Sequence, residues 1–148
     1  MSWKKLLSER KVHTHSTSKK ELDALRELIA RDLADAGIKG LSADRQFATA
    51  YNAALQTAKM AIACAGYRLA SAPGHHRLTF EAARLAVGPR ANKSLDYLEA
   101  CRRKRNDIDY DYASVATETE AAEMIAEARS FLELVEKWIA THHPKLRW

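Results

Sequence analysis

Apolar residues recur at spacings of three and four in several stretches of the chain, which is the pattern of helices that bury one face. In the first such stretch the apolar positions are Leu22, Leu25, Ile29 and Leu33. Ser18 precedes this stripe, and Glu21 follows the serine by three positions, as in a helix-capping box. Alternating runs of β-branched residues, which would indicate strands, are nearly absent. The pattern therefore predicts an all-α protein.

Four further helices are predicted from similar stripes. Ser42, Thr79 and Thr117 are candidate N-caps, and Gly88 with Pro89 interrupts the chain between two stripes. The predicted helices span residues 19–36, 43–70, 80–87, 93–112 and 118–141. Four to five helices with short connections are typical of an up-and-down bundle.

The second predicted helix carries a row of alanines. Small side chains along one face allow another helix to approach closely. The row consists of Ala50, Ala54, Ala58, Ala61 and Ala65. The last predicted helix is long enough to be the partner, and we expect the two to pack together.

Length and composition fit a single domain, since the chain has 148 residues of which 47% are hydrophobic. The stretch Val12–Ser18 is polar and aperiodic. We therefore expect residues 1–17 to form a basic, mobile N-terminal arm, residues 18–143 to form the bundle and residues 144–148 to form a C-terminal tail. No stretch approaches the roughly 20 apolar residues that span a bilayer, and Met1–Arg10 lacks the apolar centre of a signal peptide. We expect a cytoplasmic protein with no membrane partner.

The two cysteines and the histidines do not form a spaced metal-binding motif. Cys64 and Cys101 are isolated, so we expect both to be small core residues rather than disulfide partners or zinc ligands. Adjacent histidines such as His75 and His76 rarely converge on one ion without a further ligand. We expect no metal site and no cofactor.

The net charge of +5 is unevenly distributed. Residues 1–20 carry the whole excess of positive charge, and the remainder of the chain is neutral. Within that remainder, residues 59–105 are basic and residues 113–143 are acidic. Two interpretations remain open: the two segments attract each other across the bundle, or the basic segment binds phosphate.

The densest group of polar residues lies in the stretch 101–112. If this stretch is helical, one face combines residues three and four positions apart. These are Arg102, Arg105, Asn106, Asp109 and Tyr110. A guanidinium fork, an amide and a hydroxyl on one face can bind a single oxyanion, which indicates a phosphate site.

A structural interpretation of the same stretch is also open. Arg105 can pair with Asp109, and Arg103 can pair with Asp107, because each pair is four residues apart on a helix. The stretch would then be a solvated helix whose charges neutralise one another.

The stretch Arg105-Asn106-x-x-x-Tyr110-x-Tyr112, near the end of the penultimate long helix, resembles the HEPN family (higher eukaryotes and prokaryotes nucleotide-binding). The hallmark of that family is an Arg, usually followed by Asn, and then a His a few residues later. Gly66-Tyr67-Arg68, Gly74-His75-His76 and the final helix are also similar to small bacterial HEPN proteins. The resemblance extends over roughly residues 21–141.

The resemblance implies a dimer, here a homodimer, in which the two Arg102–Tyr112 helices meet and form one cleft. It implies a component of a toxin–antitoxin or defence pair that acts on RNA or nucleotides. Active members of the family cut RNA without a metal. On this reading the catalytic positions are Arg105, Asn106 and Tyr110.

Tyr110 stands where the motif has histidine, and this departure weakens the expectation of ribonuclease activity. A tyrosine with an ordinary pKa of about 10 is a poor general base near neutral pH. Binding of RNA or a nucleotide is therefore the firmer expectation, and enzymatic activity stays open. Residues expected to contact phosphate or RNA are Arg102, Arg103, Arg68, His75 and His76. For the two histidines, an exposed loop position is the alternative.

Tyr112 matches a second feature of the family. In HEPN proteins that pair with a minimal nucleotidyltransferase, the tyrosine two residues beyond the histidine accepts a transferred AMP. The resemblance thus implies a small nucleotidyltransferase as a partner and Tyr112 as its target. The alternative is that Tyr112 packs against the core.

Two functions therefore remain. The first is a HEPN-like protein that binds RNA or nucleotides, with a degenerate motif. The second is a non-catalytic helical module for protein–protein interaction.

Overall fold

The structure, a computed structural model, describes residues 1–71, 75–110 and 113–148, apart from the side chain of Tyr110. The helices are α1 (Trp3–Ser8), α2 (Lys19–Ala36), α3 (Ala43–Cys64), α4 (His75–Val87), α5 (Asn92–Tyr110) and α6 (Glu118–His142). The strands are β1 (Val12–Thr14) and β2 (Tyr67–Leu69), and single 3-10 turns lie at Pro89–Ala91 and Pro144–Leu146. The predicted helical class is confirmed, with a small antiparallel sheet added to it.

Three helices begin at the caps that the sequence predicts. The hydroxyl of Ser18 accepts a hydrogen bond from the backbone N–H of Glu21, and Ser42 accepts one from Arg45, both at 3.1 Å. Thr117 forms a complete capping box with Glu120. Each cap satisfies a backbone N–H that the first helical turn leaves without a partner. The starts of α2, α3 and α6 are therefore set by hydrogen bonds between residues that are three positions apart in the sequence.

α3 lies at the centre of the fold. It packs most extensively against α6 and α2, and it also contacts α4 and α5. Its fully buried alanines are Ala50, Ala53, Ala54, Ala58 and Ala61. Their small side chains let neighbouring helices approach closely. The predicted packing of this helix against the last helix is confirmed.

α3 ends at Cys64 and does not continue to residue 70. Gly66 has φ +97, a conformation that residues with a Cβ rarely adopt, and it turns the chain out of the helix. The following residues form β2, in which Leu69 pairs with Val12 and Tyr67 pairs with Thr14. The predicted extension is wrong because this stretch pairs with a distant strand.

α4 begins at His75, five residues earlier than predicted. The hydroxyl of Thr79 donates a hydrogen bond to the carbonyl oxygen of His75 at 2.7 Å. This is a bond to the preceding helical turn, so Thr79 is an interior residue and not the N-cap.

The first 17 residues are packed against the bundle and do not form the separate arm that the polar pattern predicts. The side chains of Leu6 and Val12 are only 1% and 2% exposed. The ring of Trp3 stacks on Tyr67 with centroids 4.2 Å apart. The pattern of this segment is aperiodic because a six-residue helix and a three-residue strand each provide few buried positions.

The segment after α6 also contacts the bundle. The carbonyl oxygen of Leu146 accepts a hydrogen bond from Arg26 at 2.8 Å, and the ring of Trp148 lies 5.5 Å from the Arg26 guanidinium carbon. Residues 144–148 therefore lie against α2.

Both cysteines are buried, as predicted for core residues. Burial raises the pKa of the Cys64 thiol to about 12, so the thiol stays protonated near neutral pH. None of the helices in the described part of the chain is long and apolar enough to cross a membrane.

Candidate phosphate-binding cleft between α4 and α5

The carboxyl-terminal half of α5 and the first turn of α4 enclose a cleft of about 230 Å³, which we call the α4–α5 cleft. Its lining consists of His75, His76 and Arg77 from α4 and Arg102, Arg105 and Asn106 from α5. The fold thus brings the histidine pair next to the basic segment of α5.

The buried side of α5 determines which residues face the cleft. Leu95, Leu98 and Cys101 lie in the core and attach the helix to the bundle. Arg102 and Arg105 are three residues apart and therefore share a face of the helix. The predicted grouping of arginines on one face is what the helix shows.

Arg105 is the most constrained cation of the cleft. Its guanidinium forms an ion pair with Asp109, and its central carbon lies 5.8 Å from the centre of the Tyr51 ring. Its Nε is buried and has no hydrogen-bond partner among residues 1–71, 75–110 and 113–148. Oε2 of Glu99 is likewise buried without a partner among the described residues. A phosphate oxygen can accept from the Arg105 N–H once the side chain turns to expose it to the cleft.

Arg102 is partly neutralised by its own helix. Its Nε donates a hydrogen bond to Glu99 at 3.0 Å, and the side chain is 42% exposed. Among the described residues that line the cleft there are three arginines and no carboxylate, and two of those arginines pair with Glu99 and Asp109, so positive charge is in excess there.

His76 contacts the buried phenol of Tyr51. Its Nδ1 lies 3.5 Å from the Tyr51 hydroxyl oxygen, and Phe80 meets the Tyr51 ring edge to face. Burial, with the nearby positive charge of Arg105, lowers the pKa of His76. The imidazole is therefore neutral near pH 7 and can accept or donate a proton. Burial raises the pKa of Tyr51, so its hydroxyl stays protonated.

His75 is also held in the neutral state. Burial lowers its pKa, and the positive charge of Lys59 lowers it further. His75 also lines a second pocket, between β2 and α3. Both histidines are thus half-buried residues of a helix and not exposed loop residues.

Two other residues predicted from the sequence lie elsewhere. Arg103 is exposed and does not line the cleft, and Arg68 lies on β2 beside the second pocket. In the described ranges neither Arg103 nor Asp107 forms an ion pair. Of the two ion pairs expected for a solvated, charge-neutral helix, the structure therefore shows Arg105–Asp109 and not Arg103–Asp107.

Lys104 also faces away from the cleft and binds Glu120 of α6 at 2.6 Å. This bond is the main reason that the pKa of Glu120 falls to about 2. The contact joins the basic α5 to the acidic α6, as the first interpretation of the charge distribution predicts.

The remaining motif positions lie at the edge of the described chain. Tyr110 is the last residue of α5, and its side chain lies outside the description. Asp111 and Tyr112 also lie outside the described residues. The structure therefore leaves the predicted roles of Tyr110 and Tyr112 as predictions.

Two residues near the histidines were not found from the sequence. Tyr51 lies in the buried stripe of α3, where an aromatic residue is indistinguishable from an ordinary core residue. Lys59 lies on the same helix and is one of many scattered lysines. Tyr51 and Lys59 come near the two histidines only because α3 packs against α4.

The lining of the cleft consists of cations, imidazoles and one amide, which together suit an anion. Among the described residues, no three potential metal ligands are grouped closely enough to hold an ion. In comparisons with known proteins, no family model, no curated protein and no solved structure matches the chain.

Proposed function

We propose that the α4–α5 cleft binds the phosphate of RNA or of a nucleotide, in a HEPN-like protein. The observation that carries this proposal is the convergence of Arg102, Arg105 and Asn106 with two half-buried histidines in one cleft. Arg105 supports it because it lines the cleft and its Nε has no acceptor within the described residues. A phosphate oxygen would supply that acceptor.

We further propose binding, with slow or no cleavage, as the main activity. Metal-independent cleavage needs a base that takes the proton of a ribose 2′-hydroxyl as its oxygen attacks the phosphorus. It also needs an acid that protonates the departing 5′-oxygen. Tyr110 is a poor base near neutral pH, and loss of acid–base help typically costs about 10² to 10⁴ in rate. In the cleft, His76 is the group able to replace it, with Arg105 stabilising the charge on phosphorus.

A homodimer through α5 is part of the same proposal. Asn106 and Asp109 are exposed on the monomer, and a second copy of α5 would cover them. A role in a toxin–antitoxin or defence pair, with a small nucleotidyltransferase that modifies Tyr112, rests on the family resemblance alone.

A second candidate function is a helical module that binds another protein. The observation in its favour is that Arg102 and Arg105, the α5 arginines of the cleft, already have carboxylate partners, Glu99 and Asp109. Large apolar side chains are also exposed elsewhere, including Ile38 and Trp148. On this reading the cleft is a salt-bridged surface without a ligand.

The experiment that separates the two functions measures binding of a single-stranded RNA oligonucleotide by wild type, Arg105→Ala and Arg103→Ala. Both variants remove one positive charge from the same helix, but only Arg105 lines the cleft. A hydrogen bond to a charged group contributes about 1.5–3 kcal/mol, so Arg105→Ala should weaken binding about 10- to 150-fold. Arg103→Ala should weaken it by less than about threefold.

Two further measurements complete this test. Affinity should fall as salt rises, because the contacts are to phosphate. Incubation of the same RNA with chelator, with wild type and His76→Gln, measures any metal-independent cleavage. Equal affinities of wild type and Arg105→Ala would refute the phosphate cleft and favour the protein-interaction module.

A further inference from the structure

A second pocket adjoins the α4–α5 cleft. It lies between α2, α3 and β2 and has a volume of about 380 Å³. We call it the side pocket. Its apolar lining includes Leu25, Ile62, Ala63 and Leu69, and its basic residues are Lys59 and Arg68. Its volume falls in the range of about 300–1,000 Å³ that is typical of sites for small organic ligands, whereas the α4–α5 cleft is smaller.

The walls of the side pocket are held by contacts from the N-terminal segment. Tyr67, which lines the pocket, stacks on Trp3 and pairs across the sheet with Thr14. β1 and α1 thus hold β2 against α3. A pocket whose walls are held in place in the free protein loses little entropy when a ligand binds.

The one carboxylate in the lining is already engaged. Glu21 accepts hydrogen bonds from His15 at 2.7 Å and from Thr17 at 2.8 Å, and these bonds lower its pKa. Among the described residues, Lys59 and Arg68 form no direct ion pair, although the charge of Arg68 helps to lower the pKa of Glu21. The described lining of the side pocket therefore combines apolar side chains with two cations and the ionised carboxylate of Glu21, on which the charge of Arg68 acts. The excess of positive charge suits a ligand with an apolar ring and a negative charge.

The side pocket and the cleft share His75, which lines both. Lys59 lies close enough that its charge lowers the pKa of both His75 and His76. The side pocket would therefore lie next to a ligand bound in the cleft, and His75 would lie between the two.

We propose that the side pocket binds the nucleoside attached to the phosphate that the α4–α5 cleft holds. This inference rests on the proposed function and extends it, because it assigns the place where the nucleoside of that ligand binds. The base lies against Ile62, Ala63 and Leu69. Lys59, which lines the side pocket, contacts the phosphate from the side of that pocket. Burial of a flat apolar ring adds affinity that inorganic phosphate cannot provide.

The test compares three probes by calorimetric titration: inorganic phosphate, uridine monophosphate and a uridine dinucleotide whose first 2′-hydroxyl is methylated so that it cannot be cleaved. The wild-type protein should bind the monophosphate about tenfold more tightly than inorganic phosphate, and the dinucleotide at least as tightly as the monophosphate. The dinucleotide distinguishes an RNA chain from a free nucleotide as the preferred ligand.

Two variants of the side pocket test the assignment. Ala63→Leu fills part of the pocket. It should decrease the ratio of the affinity for uridine monophosphate to that for inorganic phosphate by about fivefold or more, while the affinity for phosphate itself changes less than twofold. Lys59→Met removes the charge and keeps the aliphatic stem, and it should weaken the dinucleotide about tenfold. Lys93→Met is the matched control, because Lys93 is exposed at the start of α5 and lines neither pocket. Retained phosphate binding shows that each variant is folded.

The outcomes separate this inference from the proposed function. If Arg105→Ala weakens all three probes but Ala63→Leu leaves the nucleotide's advantage intact, the side-pocket assignment is wrong and the cleft stands. Equal affinity of wild type for phosphate and uridine monophosphate also overturns the assignment. If Arg105→Ala changes no affinity, the proposed function itself fails.

Discussion

Arg26 is a buried arginine that joins three separate segments of the chain. Its side chain lies on α2 and is 3% exposed. It makes two hydrogen bonds to Glu136 of α6, one to Asp23 of its own helix and one to the carbonyl oxygen of Leu146, all at 2.8 Å. Arg26→Met keeps most of the side-chain volume and removes the charge together with all four bonds, so it measures the contribution of the network with little change in packing.

The expected loss of stability follows from the groups left behind. Removal of one partner from a buried ion pair costs about 3–5 kcal/mol, mostly because the other charge stays buried without compensation. The side chain of Glu136 is 23% exposed, so water solvates part of its charge after the substitution. We therefore expect a loss of about 2–4 kcal/mol. For a chain of this size, this corresponds to a decrease in Tm of about 5–15 °C.

The assay is urea and thermal unfolding followed by circular dichroism, with Lys137→Met as the control. Lys137 lies on α6 and pairs with Glu133 at 3.7 Å, and both side chains are exposed. Loss of this surface pair should cost less than about 1 kcal/mol. The double variant Arg26→Met/Glu136→Leu should recover part of the stability, because it removes the unpaired carboxylate.

Two results would refute this account of Arg26. A loss below about 1 kcal/mol for Arg26→Met would show that the network contributes no more than a surface pair. A double variant less stable than Arg26→Met would show that the unpaired Glu136 charge is not the source of the cost.

Three further predictions concern packing, pH dependence and assembly. Ala54→Leu should destabilise the protein by about 1–3 kcal/mol, because Ala54 is fully buried in α3, whereas Ala122→Leu on the exposed face of α6 should have little effect; urea unfolding measures both. Affinity for the uncleavable dinucleotide should rise as pH falls from about 7.5 to 5.5, because protonation of His75 and His76 adds positive charge to the cleft, and His76→Gln should reduce this rise in a calorimetric titration series. Since the pKa of His76 is lowered in the folded state, the same protonation disfavours folding, and the stability contributed by the neutral imidazole should decrease as pH falls below the ordinary histidine value. Sedimentation equilibrium at tens of micromolar should give twice the monomer mass, and Asn106→Arg should shift the population toward monomer, whereas a monomeric wild type would contradict the dimer.

The features that the sequence alone determined are those that depend on near neighbours along the chain. Ser18, Ser42 and Thr117 cap helices through bonds to residues three positions away, so their positions could be predicted from the sequence. The grouping of Arg102 with Arg105 on one face follows from the period of the helix, and it was predicted for the same reason.

The features that only the tertiary structure decided depend on residues far apart in the sequence. α3 ends at Cys64 because the residues after Gly66 pair with β1, and the N-terminal segment is ordered because Trp3 stacks on Tyr67. No local pattern encodes such a partner, so the polar segment before α2 resembled a free arm.

The α4–α5 cleft shows the same division. The sequence indicated the arginines, the amide and the histidine pair as candidates for phosphate binding, but their meeting requires α4 and α5 to pack on α3. That packing also places Tyr51 beside His76 and Lys59 within electrostatic reach of both histidines. Burial and neighbouring charge set the protonation of these groups, and both arise only from the three-dimensional arrangement of the helices.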